Sequence, residues 1–376
     1  MNTINQLKVS LICTSMSILL TACGGSGGND PQPVLPVEPT PIVVDYQKLI
    51  DETVTDTIPG IVLLVETPDN KFLGSAGVEN IADQNPMQSY HTMPTASAGK
   101  PMIALLATIL ADDNLLNLDE SISTWLSDDI LTQIAHSEVM TLRQLLNHTS
   151  GIYNYVDNDD YIHVFLDEPE KLKTDIDFLS LGLNQQAYFK PGEGQKYSNT
   201  GYLLAGLILD NVIGEHHSAA LRERILVPLG MNATYYRGIE KEQGDFISGY
   251  HIDEGETYET KPYLENVAQA SAPVVSSVED MALFLKRVVV DQSFINSDIR
   301  NDYFGSESLN GFIGKESLSG NTAYGHSGLT YGYHTQNIYL EEKELSITAF
   351  INCSTQPLCE NTMDSLVKEV LANELD

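Results

Sequence analysis

The chain has 376 residues, 52 Asp+Glu against 20 Lys+Arg, a formal net charge of −32 and 42% hydrophobic residues. So acidic a chain has no basic stretch to neutralise phosphates, which excludes a nucleic-acid role, and it disfavours purely electrostatic binding to anionic lipid. Length and ordinary apolar content exclude disorder of the whole chain and suit one large domain or two intermeshed ones. In chain order, the opening segment has Lys8 as its one side-chain cation, followed by an apolar run from Val9 to Ala22. That is the layout of an export signal over residues 1–22, too short for a lasting membrane span.

The end of the segment, Leu20-Thr21-Ala22-Cys23, resembles the lipobox of bacterial lipoproteins. The resemblance implies cleavage that leaves Cys23 as the lipid-bearing N-terminus. Gly24 after it leans towards the outer membrane, on the periplasmic side. Residues 23–44, rich in Gly and Pro, read as a flexible then semi-extended tether. Export also bears on Cys353 and Cys359, which enclose five residues. In an oxidising compartment they are expected to form a small disulfide, and a metal pair is the poorer reading without a nearby His or Cys cluster.

The folded part, residues 45–376, is expected to start near Asp45 with a helix. Strand-like runs follow at Ile61–Val65 and Phe72–Val78, split by the turn signal Pro68-Asp69-Asn70. Ser97 to about Ala111 reads as a buried helix. From about 112 to 260 the pattern is helical with Asn/Asp/Gly loops, with helices at Leu142–Asn147, Asp175–Leu183, Thr200–Val212 and Ala219–Leu226. Ser277-Val278-Glu279-Asp280 opens another helix to about Val290. Strands Tyr331–Leu340 and Leu345–Asn352 and a helix at Thr362–Glu374 close the chain. Strands at both ends around a helical middle predict one sheet assembled from the two termini, with a helical insert.

Three short patterns could carry chemistry. In Ser97-Ala98-Gly99-Lys100 the spacing puts an amine beside a hydroxyl on one helix face, at the positive end of the helix dipole. If Lys100 is desolvated, it can accept the serine proton. The pattern recurs at Ser365-Leu366-Val367-Lys368, within an ordinary amphipathic helix, so spacing alone does not decide. Tyr197-Ser198-Asn199 places a phenol and a carboxamide two residues apart; alone it reads as a packing Tyr beside a turn Asn. His326-Ser327-Gly328 opens the late strand region, where Gly would let a substrate backbone lie along a strand edge; alone it reads as a strand-end His with a turn Gly. A Gly-x-Ser-x-Gly match at Gly24–Gly28 falls in the tether. A calcium-loop reading of Asp157-Asn158-Asp159-Asp160 fails because Ile162 stands where the loop needs Gly.

Together, Ser-x-x-Lys, Tyr-x-Asn and a basic-x-Gly element in this order resemble the serine β-lactamase and penicillin-binding-protein family. Further segments are similar to the branch of D,D-peptidases, class C β-lactamases and related esterases: 140–152 with His148, 189–192, 225–231 and 276–282. The resemblance spans about residues 45 to 372. It implies an α/β (α+β) β-lactamase/transpeptidase-like fold: an antiparallel sheet flanked by helices, an all-helical region, and a site in the cleft between them. It implies an acyl-enzyme on Ser97, with Lys100 and Tyr197 sharing the general acid–base work. Asn199 binds Lys100 or the substrate amide, and the backbone N–H groups of Ser97 and Leu329 form the oxyanion hole. His326, Ser327, Gly328 and Leu329 line the substrate, His148 is structural, and no metal or organic cofactor is implied. The substrate is a small peptide, amide or ester. His326 stands where the family's β-lactamases usually carry Lys, and Leu329 supplies no hydroxyl, so carboxylates are held less firmly. The expected order is a D-alanyl-D-alanine carboxypeptidase-like peptidase, an esterase or other amidohydrolase, a β-lactamase, and last a non-catalytic peptidoglycan- or partner-binding lipoprotein. Acidity is dense near the cleft, with eight acids and two lysines in Gly151–Ser180. Any substrate carboxylate must therefore be caught by local donors, of which His326, Ser327 and Lys315 are the candidates.

Overall fold

Asp45 starts the fold. Its carboxylate accepts a hydrogen bond from the Lys48 amide at 3.1 Å and caps α1 (Tyr46–Thr53). The structure is a computed structural model describing residues 44–253, 255–306 and 309–375. The export signal, Cys23 and all but the last residue of the tether lie outside the described residues.

A six-stranded antiparallel sheet forms one layer. Its strands are β1 (Gly60–Glu66), β2 (Lys71–Gly77), β3 (Gly314–Leu318), β4 (Asn321–Thr330), β5 (Tyr333–Leu340) and β6 (Leu345–Ile351). In space they run β3-β4-β5-β6-β1-β2. The two ends of the chain meet where β1 pairs with β6, Ile61 opposite Ile351 and Val65 opposite Ile347. The expected assembly from both termini is therefore present. Alternation along these strands serves two cores. Ile61, Leu63, Val65, Ile347 and Ala349 pack with Tyr46, Ile50 and Met363 of the terminal helices. Val62, Leu64, Tyr339 and Phe350 face the helical half of the molecule. With both faces covered, β1 reads as a continuous apolar run over Ile61–Val65, and β6 is buried throughout with only Ser346 and Thr348 as polar side chains, which makes both legible.

The helical half is built on α2 (Lys100–Asp112), α3 (Leu142–Leu146) and α4 (Asn199–Ile213). Thr141 and Gln144 form a capping box at the start of α3. Gly214, at φ 84°, ends α4 in the left-handed conformation open to glycine. α5 (Val278–Val290) begins at the Ser277 cap and packs against the sheet. α6 (Leu358–Leu375) starts four residues earlier than expected, beside the Cys353–Cys359 disulfide.

Several boundaries differ from expectation. The Asp175 helix stops at Leu179. The stretch expected as one helix over Ala219–Leu226 is α-helical only to Leu221, with a wider π turn over Arg222–Leu226. The helical middle also carries short strands: Tyr235–Tyr236 joins Met93–Pro94 and Val274–Ser276 in a small sheet, and Tyr250–Asp253 pairs with Glu256–Glu259. β3 and β4 carry no strand signal in the sequence. β4 reads Asn-Thr-Ala-Tyr-Gly-His-Ser-Gly-Leu-Thr, poor in β-branched and large apolar residues, and its place is set by pairing with β5. Among the described residues no helix is long and apolar enough to cross a membrane.

Candidate active site

Ser97 sits in a single 3₁₀ turn, Ala96–Gly99, immediately before α2, rather than in the helix itself as its pattern predicts. The turn is held in an unusual shape. Ala96 adopts φ 50°, which costs an L-residue about 1–2 kcal/mol. The Thr95 amide bonds the Val274 carbonyl at 3.0 Å, fixing the approach. The Ser97 hydroxyl thus stands at the positive end of α2, above Lys100.

Lys100 has no exposed surface. Its Nζ lies 2.9 Å from Ser97 Oγ and 2.7 Å from Asn199 Oδ1, and it donates to the Ser271 carbonyl. Among the described residues no carboxylate pairs with it. Burial without a counter-ion holds this amine well below the ordinary lysine range. Two carbonyl oxygens occupy two N–H groups of a neutral amine and leave its lone pair facing Ser97. The arrangement can take a proton from the serine.

Tyr197 stands on the other side of Ser97. Its residue surface is 40% exposed, open towards the cleft. Loss of water raises its phenol above the usual tyrosine value, and a hydrogen bond with the Ser97 side chain draws it back down. The ring lies 4.3 Å, centroid to centroid, from His148 and 6.2 Å from His326; Lys100 Nζ is 5.3 Å from its centre. His148 accepts from the Ser198 amide on Nδ1 at 3.2 Å, so its proton resides on Nε2. Burial first, then Lys100 and His326, pushes it down to about 3, so it is neutral packing for Tyr197.

β4 supplies the opposite wall. Beyond Gly314, which pairs with Gly325, β3 no longer pairs with β4, and among the described residues no strand takes its place along 326–330. His326 donates from Nδ1 to the Ser327 carbonyl at 2.5 Å. Burial, then Lys100, pushes its imidazole down to about 4. At neutral pH the ring is therefore uncharged. Ser327 is exposed and shares a pocket of about 330 Å³ with His326 and Lys315. Leu329 is 36% exposed. Gly328 has a role that its motif does not announce. A Cβ there would lie 2.1 Å from the Thr95 carbonyl oxygen and 3.0 Å from the Ser97 nitrogen. The glycine lets β4 press against the nucleophile turn; packing against the protein's own backbone is what excludes a side chain.

Four contributors escape sequence reasoning. Asn154 accepts from both the backbone and the side-chain amide of Asn199. Ser271 offers only its carbonyl oxygen to Lys100, for which no side-chain signal exists. Tyr155 donates to Gln269 at 2.6 Å, and Gln269 accepts from Ser271 Oγ at 2.8 Å, which fixes that loop. Asn154 and Tyr155 lie just past the segment containing His148, and adjacency is their one available signal. Elsewhere, Asp210, His216 and His217 lie close enough to suggest a metal. Both nitrogens of His217 are already engaged, by Asp210 at 2.7 Å and the Tyr236 hydroxyl at 2.8 Å, so the cluster reads as a packing triad.

The chain has known relatives. The beta-lactamase family profile matches residues 46–372. The chain belongs to the beta-lactamase family. It is 30% identical over 214 residues to penicillin-binding protein 4* of Bacillus subtilis strain 168, covering 55% of this chain and 45% of that protein. It is 26% identical over 256 residues to protein flp of Staphylococcus aureus strain N315, covering 66% of this chain and 50% of that one. The chain thus spans about half the length of these relatives. Among solved structures, the D-amino acid amidase of Ochrobactrum anthropi SV3 complexed with L-phenylalanine amide superposes with a TM-score of 0.73 at 24% identity. The superposition covers 88% of this chain and 96% of the amidase, and at that identity it speaks for the fold alone. The octameric penicillin-binding protein homologue from Pyrococcus abyssi gives 0.71 at 25% identity, over 86% of this chain and 76% of that one. Membership makes the chain a serine hydrolase by family, with penicillin-binding protein 4* among its relatives.

Proposed function

We propose that the protein is an acyl-transferring peptidase of the D-alanyl-D-alanine carboxypeptidase type, acting on small cell-wall peptides through Ser97. The observation that carries this is the buried Lys100 amine, with no carboxylate partner among the described residues, 2.9 Å from Ser97 Oγ. Lys100 takes the serine proton as Ser97 attacks the scissile carbonyl. The backbone N–H groups of Ser97 and Leu329 hold the developing oxyanion. Tyr197, hydrogen-bonded to Ser97, passes a proton to the leaving amine, and water then releases the acyl group by the reverse route. Asn199 holds Lys100. The substrate backbone lies along the open edge of β4, and its terminal carboxylate reaches the pocket of Lys315, His326 and Ser327.

A second reading is an amidase or esterase of uncharged acyl donors. The neutral His326 favours it, because no fixed charge on that residue selects for a carboxylate. The same neutrality places efficient β-lactam hydrolysis behind both, and a purely binding role comes last. The reading includes export and anchorage: cleavage before Cys23, lipid on Cys23, and a domain held by the tether on the periplasmic side, outer membrane preferred.

The decisive experiment labels the purified protein with a fluorescent penicillin and a fluorophosphonate, then assays a D-Ala-D-Ala peptide, a D-amino acid amide, a p-nitrophenyl ester and a chromogenic cephalosporin. Labelling at Ser97 with release of D-Ala supports the first reading. Amide or ester turnover without D-Ala release moves the assignment to the second. No label at Ser97 removes both. Fractionation tests the anchor: Cys23→Ser moves the protein from membrane to soluble fractions, and an unchanged distribution overturns that part.

A further inference from the structure

Lys100 can accept a proton from Ser97 only while its other hydrogen-bonding directions are filled correctly. Asn199 must turn its carbonyl oxygen, not its NH2 group, towards Nζ. An isolated carboxamide has no preference between the two orientations. The structure removes the choice through a chain of donors and acceptors. Asp157, exposed and acceptor-only as a carboxylate, takes a hydrogen bond from Asn154 Nδ2 at 3.2 Å and one from the Tyr188 hydroxyl at 2.6 Å. Tyr188 in turn accepts from the Asn154 backbone amide at 3.1 Å. With its NH2 committed to Asp157, Asn154 presents Oδ1 inward. That oxygen accepts from the Asn199 backbone amide at 2.9 Å and from Asn199 Nδ2 at 3.1 Å. The oxygen of Asn199 is left to face Lys100 at 2.7 Å.

We propose that Asn154 is a positioning residue for the reaction, setting the orientation of the Asn199 carboxamide and hence the direction in which Lys100 meets Ser97. The proposal rests on the assignment of Ser97 and Lys100 above. It predicts that donor–acceptor polarity at position 154, beyond its shape, governs the acylation rate. Asn154→Leu keeps the bulk and removes the acceptor; the Asn199 carboxamide is then free to turn, and a misplacement of this kind costs about 10²-fold in rate. Asn154→Asp sets two carboxylates against each other. Combining Asn154→Asp with Asp157→Asn restores the polarity: the carboxamide now at position 157 donates to the carboxylate at position 154, which still accepts from Asn199. The relocated carboxylate lies one hydrogen bond nearer Lys100 and favours its ammonium form. Since Lys100 acts deprotonated, the acid limb of the rate profile moves to higher pH.

The test follows fluorescent-penicillin acylation and p-nitrophenyl acetate turnover across pH, with thermal melts of every variant. The expected results are a loss of about 10²-fold in kcat for Asn154→Leu and a gain of at least about tenfold for the double variant over Asn154→Asp, with the shifted limb. If Asn154→Leu does not fold, the swap pair alone decides. Wild-type kcat in a folded Asn154→Leu, or no recovery in the double variant, overturns the proposal. Lys100→Met separates the two levels. If that variant keeps its rate, the underlying assignment fails; if it is inactive while Asn154→Leu is not, the positioning role alone fails.

Discussion

Ser97-Ala98-Gly99-Lys100 and Ser365-Leu366-Val367-Lys368 share their end residues and their spacing, and they sit in opposite environments. Ser365 and Lys368 lie exposed on α6, where the Ser365 hydroxyl is spent on the Asn361 carbonyl one turn back, at 2.8 Å. That bond is ordinary for serine in a helix. Ser97 lies outside the regular helix, so its hydroxyl is turned towards Lys100 and Tyr197. Lys100 is sealed under it between the carbonyl oxygens of Asn199 and Ser271. The spacing brings two groups together; backbone shape and desolvation decide whether they react.

The largest expected break in this comparison is Ser97→Ala. Turnover falls by about 10⁴-fold or more and the fluorophosphonate adduct disappears from the intact mass. Ser365→Ala changes neither. Lys100→Met comes next, with a loss of about 10²–10⁴-fold in acylation rate, against an unchanged rate for Lys368→Met. An equal effect at both lysines would remove the distinction. Gly328→Ala tests the wall of the reactive copy. The added methyl meets the Thr95 carbonyl, so strand and turn must part. Acylation by fluorescent penicillin should slow by about 10²-fold, with about 1–3 kcal/mol lost in denaturant unfolding.

A smaller effect comes from pH. His148, His326 and His216 are held down to about 3, 4 and 4, burial being the first cause in each. The unfolded chain takes up these protons as pH falls below the ordinary histidine value of about 6.5, whereas the folded chain does not until much lower. Stability is therefore full above that value and lost as pH falls towards 4. The denaturant midpoint should drop across this window, and His148→Phe should flatten the drop; an unchanged slope would show that His148 is not held neutral. The least effect is expected from His326→Lys. A fixed cation there should lower KM several-fold for carboxylate-bearing substrates and leave neutral esters alone.

Much of this is legible along the chain. β1 and β6 are predominantly apolar because both faces are covered, and Ser277 announces α5 through its cap. Ser97, Lys100, Tyr197 and Asn199 stand out because each belongs to a compact pattern, and the structure gathers the other three around Lys100 Nζ. β4 is not legible. Its glycines answer to close neighbours rather than to strand propensity, and Gly328 is required by Thr95, more than two hundred positions away. Asn154 escapes notice for a related reason: an asparagine in a loop looks like any turn residue until its partners are known.

The sequence by itself determined the order of the motifs, the elements with strong periodicity, and an acidic surface unsuited to phosphate partners. Only the tertiary structure sets the two Ser-x-x-Lys copies apart. Lys100 receives its acceptors from Asn199 and Ser271, 99 and 171 positions along the chain, and loses its water to elements that are equally distant in sequence. Hydrogen-bond polarity and desolvation are properties of a place in the fold, and no local spacing encodes them.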